Sequence, residues 1–454
     1  MTRADGREYI GTMSSEGYAK RNYFGTDGIR GVYGEDLTDG LAMLAGGGLG
    51  RASGAGFVVM GRDNRLSGEV LARALTEGAL AAGTDVLDLG VVTTPCVACV
   101  AKELGGAGVM ISASHNPPEY NGLKFFGRDG GKLSREAEIV IEEHIARGRI
   151  TYAERRGKLL PGEDGREIYA RKVMSAGSLE GLRIVVDCAN GAASELAPEL
   201  LSRMGAEVVA VGTSRDGALI NRGVGALFPE VVADAVRRHG ADMGFAFDGD
   251  ADRVIAADEK GAIVDGDRMI FALACLLSSR GELPGGTVVG TLHTNMGAEK
   301  ALADKGISLV RTDIGDHNVA RVMRENGYAL GGEQSGHIII GRYLPTGDGL
   351  LAGAVLARAV AESGTPLSVL TACETYPQVN ADIRTRDKAA LLADPALAAE
   401  VRAVEGMLSP GGRVMLRASG TEDKIRIMAE SRDPFLAAFA ARTIELFIRR
   451  NMTD

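Results

Sequence analysis

"LRIVVDCANG", residues 182–191, is a short β-branched apolar run that breaks into Asp187, Asn190 and Gly191. A run of that length, closed by turn residues, reads as a buried strand feeding a loop. The runs "AEVVAVG" (206–212) and "ADMGFAFDGD" (241–250) follow it with helical patterns between them. The same rhythm occurs upstream, in "GFVVMGRD" (56–63), a helix pattern from Ser67 to Ala82, "DVLDLG" (85–90) and "GAGVMIS" (106–112). It starts a third time at "GGTVVGTL" (285–292). Such alternation predicts α/β units with mainly parallel sheets, whose functional loops sit at the carboxyl ends of strands. The three starts read as repeated architecture, without a sequence repeat strong enough to stand alone.

The tail differs. "QVNADIRT", "GRVMLRAS" and "KIRIMAES" are three strand-like runs around a helix expected from Lys388 to Met407, and an amphipathic helix from Pro434 to about Arg450 closes the chain. That order predicts a small α+β domain with an antiparallel sheet. Gly and Pro punctuation divides the chain into 21–160, 161–262, 263–373 and 374–454, after a polar, patternless extension over 1–20 that reads as flexible.

Composition narrows the function classes. The 454 residues are 45% hydrophobic and 24% charged, which suits an ordinary globular protein, and the 63 glycines predict many tight turns and backbone-lined loops. A net charge of −9 argues against non-specific nucleic-acid binding, which needs clustered cations, but leaves room for an anionic small molecule held by a few converging ones. Nothing approaches the ~20 apolar residues of a membrane span. The chain therefore reads as cytoplasmic, with no membrane partner. Cys96, Cys99, Cys188, Cys275 and Cys373 are too scattered for a disulfide framework. Cys96 and Cys99 form a lone CxxC that reads as two small buried hydrophobes rather than a redox or zinc site.

Four loops carry residues suited to chemistry. "GVMISASHNPPEYNGLKFF" (108–126) ends a strand with Ser112, Ser114, His115 and Asn116, then stiffens at Pro117 and Pro118. Ser114 is the candidate nucleophile. On an extended chain His115 would point away from it, and no GxSxG elbow is present. "FAFDGDADRV" (245–254) alternates Asp248, Asp250 and Asp252, so an extended loop would put three carboxylates on one side, where a hard cation such as Mg²⁺ relieves their repulsion. An EF-hand is excluded because Arg253 occupies the position that needs Gly. In "YALGGEQSGHIII" (328–340), Glu333, Ser335 and His337 offer acceptors and donors for hydroxyls around two glycines, although a plain hairpin turn explains the stretch equally well. "VMLRASGTEDKIRIM" (414–428) gathers Arg417, Ser419, Gly420, Thr421 and Arg426, the parts of a phosphate cradle.

Together with "YFGTDGIRG" (23–31) and "PTGDGLL" (345–351), these loops make the chain resemble the α-D-phosphohexomutases over nearly everything after residue 20. The resemblance implies three similar α/β domains with mixed sheets plus a C-terminal α+β domain with an antiparallel sheet, around a central cleft. It implies a phosphoserine enzyme in which Ser114 passes a phosphoryl group to a hexose phosphate, through a sugar bisphosphate, and takes the other phosphate back. By the same resemblance Asp248, Asp250, Asp252 and the Ser114 phosphate hold Mg²⁺, and Glu333 and Ser335 grip sugar hydroxyls. Arg417, Ser419, Gly420, Thr421 and Arg426 bind the phosphate that is not reacting, and Arg30, Lys124 and His337 stand beside the reacting oxygens. Gln334 in "GEQSG" and the "FGTDGIRG" run are typical of the subgroup that interconverts glucosamine 6-phosphate and glucosamine 1-phosphate. A hexosamine phosphate is thus the expected substrate, with glucose or mannose phosphates as the alternative and a Mg²⁺-dependent sugar phosphatase as a third reading. The expected assembly is a monomer or homodimer. Three departures bear on sugar preference or loop stiffness: Asp423 and Lys424 where Pro is usual, His317 where Arg is usual, and "GALFPE" (225–230) for "GSTHPE".

Overall fold

The structure, a computed structural model, describes residues 23–25, 27–162, 164–419 and 423–451. The extension over 1–20, Gly420 and Thr421 lie outside the described residues. Two compact units divide the chain: one runs to Thr294 and resumes over Lys305–Ala372, and the other takes Asn295–Asp304 and everything from Cys373.

The first unit holds three sheets. One is built from β1 (Ile29–Val32), β2 (Phe57–Arg62), β3 (Asp85–Val91), β4 (Ala107–Ile111), β5 (Tyr120–Phe126) and β6 (Leu159–Leu160), in the order β1-β5-β4-β2-β3-β6. The next has β7 (Arg183–Asp187), β8 (Glu207–Val211), β9 (Met243–Phe247), β10 (Val254–Asp258) and β11 (Ile263–Val264), ordered β11-β10-β9-β7-β8. The third has β12 (Thr287–Thr291), β13 (Ser308–Thr312), β14 (Leu330–Gly332) and β15 (Ile338–Ile340), ordered β13-β12-β14-β15.

One motif recurs in all three. Three parallel strands, β3-β2-β4, β8-β7-β9 and β13-β12-β14, carry an antiparallel neighbour, β5, β10 and β15, reached by a hairpin from the last parallel strand. The threefold rhythm of the sequence is therefore real, and each sheet is mixed: parallel pairs run through it, and the hairpin adds an antiparallel strand because a short loop can only return the chain antiparallel. The central strands β4, β9 and β12 are buried on both faces, which is why they read as continuous apolar runs.

Part of the glycine excess serves helix packing rather than turns. The helix Asp39–Ser53 lies against Gly68–Ala81 so closely that a Cβ on Gly46 would fall 2.1 Å from the Leu75 carbonyl oxygen, and one on Gly78 would fall 1.8 Å from that of Met43. Beneath them Leu49, Leu71, Leu75, Ile111 and Leu123 form a fully buried core, each worth about 2 kcal/mol of burial.

The second unit contains the antiparallel sheet of β16 (Gln378–Arg384), β17 (Gly412–Ala418) and β18 (Lys424–Ser431), ordered β16-β18-β17 and covered by the helix Pro434–Asn451. The single helix expected from Lys388 to Met407 is two, Lys388–Ala393 and Pro395–Leu408. Pro395 lacks the N–H that would continue the first and starts the second, with Asp394 capping it through Ala396 N. Cys96 and Cys99 are fully buried in the helix Thr94–Leu104, and burial pushes the Cys99 thiol up to about 12 and Cys96 well above its usual range.

Candidate functional site

Three of the four loops chosen from sequence occupy one topological position. The hairpin loop after the last parallel strand holds Ser114 in the first sheet, Asp248, Asp250 and Asp252 in the second, and Glu333, Ser335 and His337 in the third. Each stands at the carboxyl end of a parallel strand, where open α/β sheets expose their loops.

Ser114 has a left-handed backbone, φ +53°, which costs a non-glycine residue roughly 1 kcal/mol. Two side chains that the sequence reading overlooked hold it there. Arg65, 3% exposed and paired with Asp63 at 3.0 Å, donates through Nη2 to the carbonyls of Ser114 (2.9 Å) and Asn116 (2.8 Å). Its Nη1 reaches the carbonyls of Tyr120 (2.8 Å) and Pro117. Asn221 Nδ2, from the segment between β8 and β9, donates to the same Ser114 and Asn116 carbonyls at 2.9 and 3.0 Å. On the amide side Ser114 N donates to Ser112 Oγ (2.9 Å), which itself donates to Asp63 Oδ2 (2.6 Å). The left-handed turn also overturns the expectation for His115: its Nδ1 lies 3.2 Å from Ser114 Oγ. Burial, with Arg253 and Arg30 nearby, lowers its pKa to about 3, so this ring is neutral.

The acidic loop is a tight turn rather than an extended stretch, with Ala251 at φ +57°. The carboxylates converge because the turn folds them inward: all three are buried, and one oxygen from each lies within 4.8 Å of the others. The turn's own carbonyls are claimed from three directions, Gly249 O by Ala192 N (2.8 Å), Asp250 O by Thr94 N (2.9 Å) and Ala251 O by Gly349 N (3.1 Å). Thr94 Oγ1 also donates to Asp250 Oδ2. Neither Thr94 nor Gly349 was legible as a supporting residue, since each opens a helix far from the acidic loop in sequence, Thr94–Leu104 and Gly349–Ser363.

The two loops meet at a hydrogen bond. Ser114 Oγ donates to Asp248 Oδ2 at 2.6 Å. Burial, then Asp252 and Asp250, push Asp248 up to about 8, the signature of carboxylates crowded without enough cationic charge. Asp250 Oδ1 and Asp252 Oδ1 are buried with no hydrogen-bond partner. Hard oxygen donors, orphaned and convergent, fit a divalent cation of the Mg²⁺ type.

Around the triad runs a closed circuit of alternating charge. Lys124 Nζ sits 2.7 Å from both Asp250 Oδ2 and Asp252 Oδ2 and 3.3 Å from Asp27. Asp27 also holds Arg30 (2.9 Å) and Lys132 (2.7 Å). Lys132 pairs with Asp316 (2.6 Å), Asp316 lies 3.6 Å from His337 Nε2, and His337 Nδ1 lies 3.8 Å from Asp252. Burial works against the Lys124 ammonium, but the three aspartates outweigh it and hold its pKa well above the lysine range. Burial also opposes a charged His337; Asp252 and Asp316 overcome that and raise its pKa. The Gly347 amide, 3.2 Å from Nε2, favours a lone pair there, yet two flanking carboxylates are the stronger influence. Asp27, Lys132 and Asp316 are the site residues that loop-by-loop reading missed.

Glu333 accepts from Gly315 N (3.0 Å), and Arg253 and His337 both feel its charge. Its loop is also the hairpin turn that the sequence allowed: Gly336, φ +89°, packs so that a Cβ would lie 2.1 Å from Val254 O, and Ser335 is exposed at the tip. The fourth loop belongs to the second unit. There Arg417 and Arg426 are direct register partners across β17 and β18, and Ser419 N closes the strands onto Lys424 O at 2.8 Å. Asp423 and Lys424 are anchored, Asp423 O by Thr385 N (2.9 Å) and Lys424 Nζ by Asp382 (2.7 Å).

Comparison with known proteins places names on this geometry. Residues 21–151, 166–261 and 265–376 match the alpha/beta/alpha domains I, II and III of phosphoglucomutase/phosphomannomutase, and 379–443 match its C-terminal domain. A phosphoglucosamine mutase of Ruegeria pomeroyi is 44% identical over 93% of this chain and 98% of its own length. One from Symbiobacterium thermophilum is 47% identical over 90% and 95%. Among solved structures, a phosphoglucomutase/phosphomannomutase family protein from Burkholderia thailandensis superposes with TM-score 0.80 at 27% identity, covering 94% of this chain and 98% of that one. The Aspergillus fumigatus N-acetylphosphoglucosamine mutase, in complex with GlcNAc-6P and magnesium, shares the fold with TM-score 0.65 at 18% identity, over 96% and 97%.

Proposed function

The chain belongs to the phosphoglucomutase/phosphomannomutase family, and on that premise we propose that it is a phosphoglucosamine mutase, interconverting glucosamine 6-phosphate and glucosamine 1-phosphate with Ser114 as phosphate carrier. The observation that carries this reading is the Ser114 hydroxyl, 2.6 Å from one carboxylate of a buried aspartate triad whose other members keep orphaned oxygens. That pairing puts a phosphorylatable oxygen against a cation site, which is what phosphoryl transfer requires.

In the first half-reaction the P–Oγ bond at Ser114 breaks as a sugar hydroxyl oxygen bonds to phosphorus, and the proton that hydroxyl loses ends on Ser114 Oγ; the second half-reaction runs the same exchange in reverse, a sugar P–O bond breaking as Oγ bonds to phosphorus. The product of the first is a sugar bisphosphate. After the sugar turns, its other phosphate returns to Ser114 and the monophosphate leaves with its phosphate on the other carbon. Asp248, Asp250, Asp252 and the serine phosphate would hold Mg²⁺, which when bound neutralises charge on the phosphoryl oxygens. Lys124 and Arg30 supply further positive charge, and His337 supplies charge or a proton route beside the reacting oxygens. Glu333 and Ser335 offer an acceptor and a hydroxyl for the sugar, while Arg417, Ser419, Gly420, Thr421 and Arg426 supply donors for the phosphate that is not reacting. Five free cysteines suit a reducing, cytoplasmic setting.

Turnover of glucosamine, glucose and mannose 6-phosphates by the purified enzyme tests the assignment. The amino sugar should be the best substrate; negligible turnover of it, with brisk conversion of the others, would reassign the chain to phosphoglucomutase/phosphomannomutase chemistry.

A further inference from the structure

We propose that Arg65 and Asn221 are positioning residues for phosphoryl transfer: together they hold the Ser114 peptide frame in its left-handed conformation and so aim Oγ at the aspartate triad. The inference rests on Ser114 being the phosphate carrier proposed above, and adds which groups keep that carrier in place.

The geometry is specific. The Ser114 and Asn116 carbonyls each accept two bonds, one from Arg65 Nη2 and one from Asn221 Nδ2, at 2.8–3.0 Å. Arg65 reaches two more carbonyls, at Pro117 and Tyr120, so one guanidinium spans the whole loop. Its fork fits that task because its five donors lie in one plane, and Asp63 fixes the plane through Nε at 3.0 Å. Asn221 has its own left-handed backbone, φ +59°, which Asn tolerates better than most residues. It stands on a segment next to the second sheet, so its amide ties the serine loop to the part of the fold that carries the acidic turn. Gly249, inside that turn, completes the junction: a Cβ there would fall 2.7 Å from Ser114 O and 3.0 Å from Asn221 Nδ2. Pro117 and Pro118 stiffen the chain after the serine, but the fork and the amide set where it points. Arg65 and Asn221 bond to the Ser114 carbonyl, whereas Oγ bonds to His115 and Asp248, so their contribution acts through the main chain.

The test uses full-length Arg65→Lys and Asn221→Gly. Lysine keeps the charge beside Asp63 and loses the fork; glycine keeps the backbone freedom and loses the amide. Each variant, charged with phosphate from a sugar bisphosphate, is assayed for kcat and KM on glucosamine 6-phosphate, for the ³¹P linewidth of the phosphoserine, and for its thermal midpoint. A misaimed carrier predicts kcat lower by roughly 10- to 100-fold with KM changed less than about 3-fold. The phosphoserine resonance should broaden or split as well. If Arg65→Lys does not fold, Asn221→Gly decides alone. Wild-type kcat and linewidth in Asn221→Gly would overturn the proposal, as would a loss confined to thermal stability. A wild-type enzyme that carries no phosphate on Ser114 would overturn the carrier reading itself, and this inference with it.

Discussion

Gly249→Ala is the most direct structural perturbation of the junction between the serine loop and the acidic turn. Its Cβ would lie 2.7 Å from the Ser114 carbonyl oxygen, against the 3.4 Å at which contact becomes ordinary, so something must yield by about 0.7 Å. Ile220 Cδ1 at 2.9 Å and Asn221 Nδ2 at 3.0 Å close the other ways out. The Ser114 carbonyl cannot move alone, because Arg65 and Asn221 both bond to it. The serine loop and the acidic turn must therefore separate, lengthening the 2.6 Å contact between Ser114 Oγ and Asp248. Overpacking of this kind costs about 1–3 kcal/mol of stability, which a large multi-sheet unit survives, while displacement of a reacting atom by a fraction of an ångström lowers kcat by roughly 10- to 100-fold. Steady-state kinetics on glucosamine 6-phosphate, with thermal melts, should show a folded enzyme with depressed kcat and nearly unchanged KM. Gly56→Ala is the control, since its Cβ meets nothing within 4 Å. Full kcat in Gly249→Ala would refute the claim that the two loops are held in register through this contact.

Other outcomes follow from the same geometry. Chelation with EDTA should abolish mutase turnover and added Mg²⁺ should restore it, and Asp250→Asn should weaken Mg²⁺ binding by at least about 10-fold in titration calorimetry. Asp348 is buried, accepts from Tyr169 and Leu351 N, and is pushed by burial from 3.8 up to about 7. The folded state therefore keeps a proton that the unfolded chain releases, and the stability this provides, complete below pH 3.8, is lost as pH rises toward 7. Urea titrations should show Asp348→Asn losing roughly 2–3 kcal/mol less than wild type between pH 5 and pH 7; equal slopes would contradict the assignment. Gly78→Ala should lower the thermal midpoint despite alanine's better helix propensity, because its Cβ would sit 1.8 Å from Met43 O.

What the sequence revealed and what it hid have a common physical cause. Ser114, the three aspartates, Glu333, Ser335 and His337 were legible because each cluster lies within one hairpin loop, where a handful of adjacent residues announces its chemistry. Arg65, Asn221, Thr94, Lys132 and Asp316 act on loops far away in sequence, and nothing beside them marks them as different from ordinary strand-end or surface residues. Backbone conformation was equally hidden. Left-handed φ at Ser114 and Ala251 turned two stretches expected to be extended into turns, bringing His115 onto Ser114 and gathering the carboxylates. The parallel strands were visible as apolar runs, but β5, β10 and β15 return antiparallel because of loop length, which hydrophobicity does not encode. Pro395 alone would have split the expected helix correctly.

The most direct measurement of the central claim follows the isolated phosphoenzyme mixed with one equivalent of glucosamine 6-phosphate, quenched over a single turnover. The account predicts that phosphate leaves Ser114 as a sugar bisphosphate appears in equal amount, before any glucosamine 1-phosphate. Inorganic phosphate as the first product, or undiminished transfer in Ser114→Ala, would contradict it.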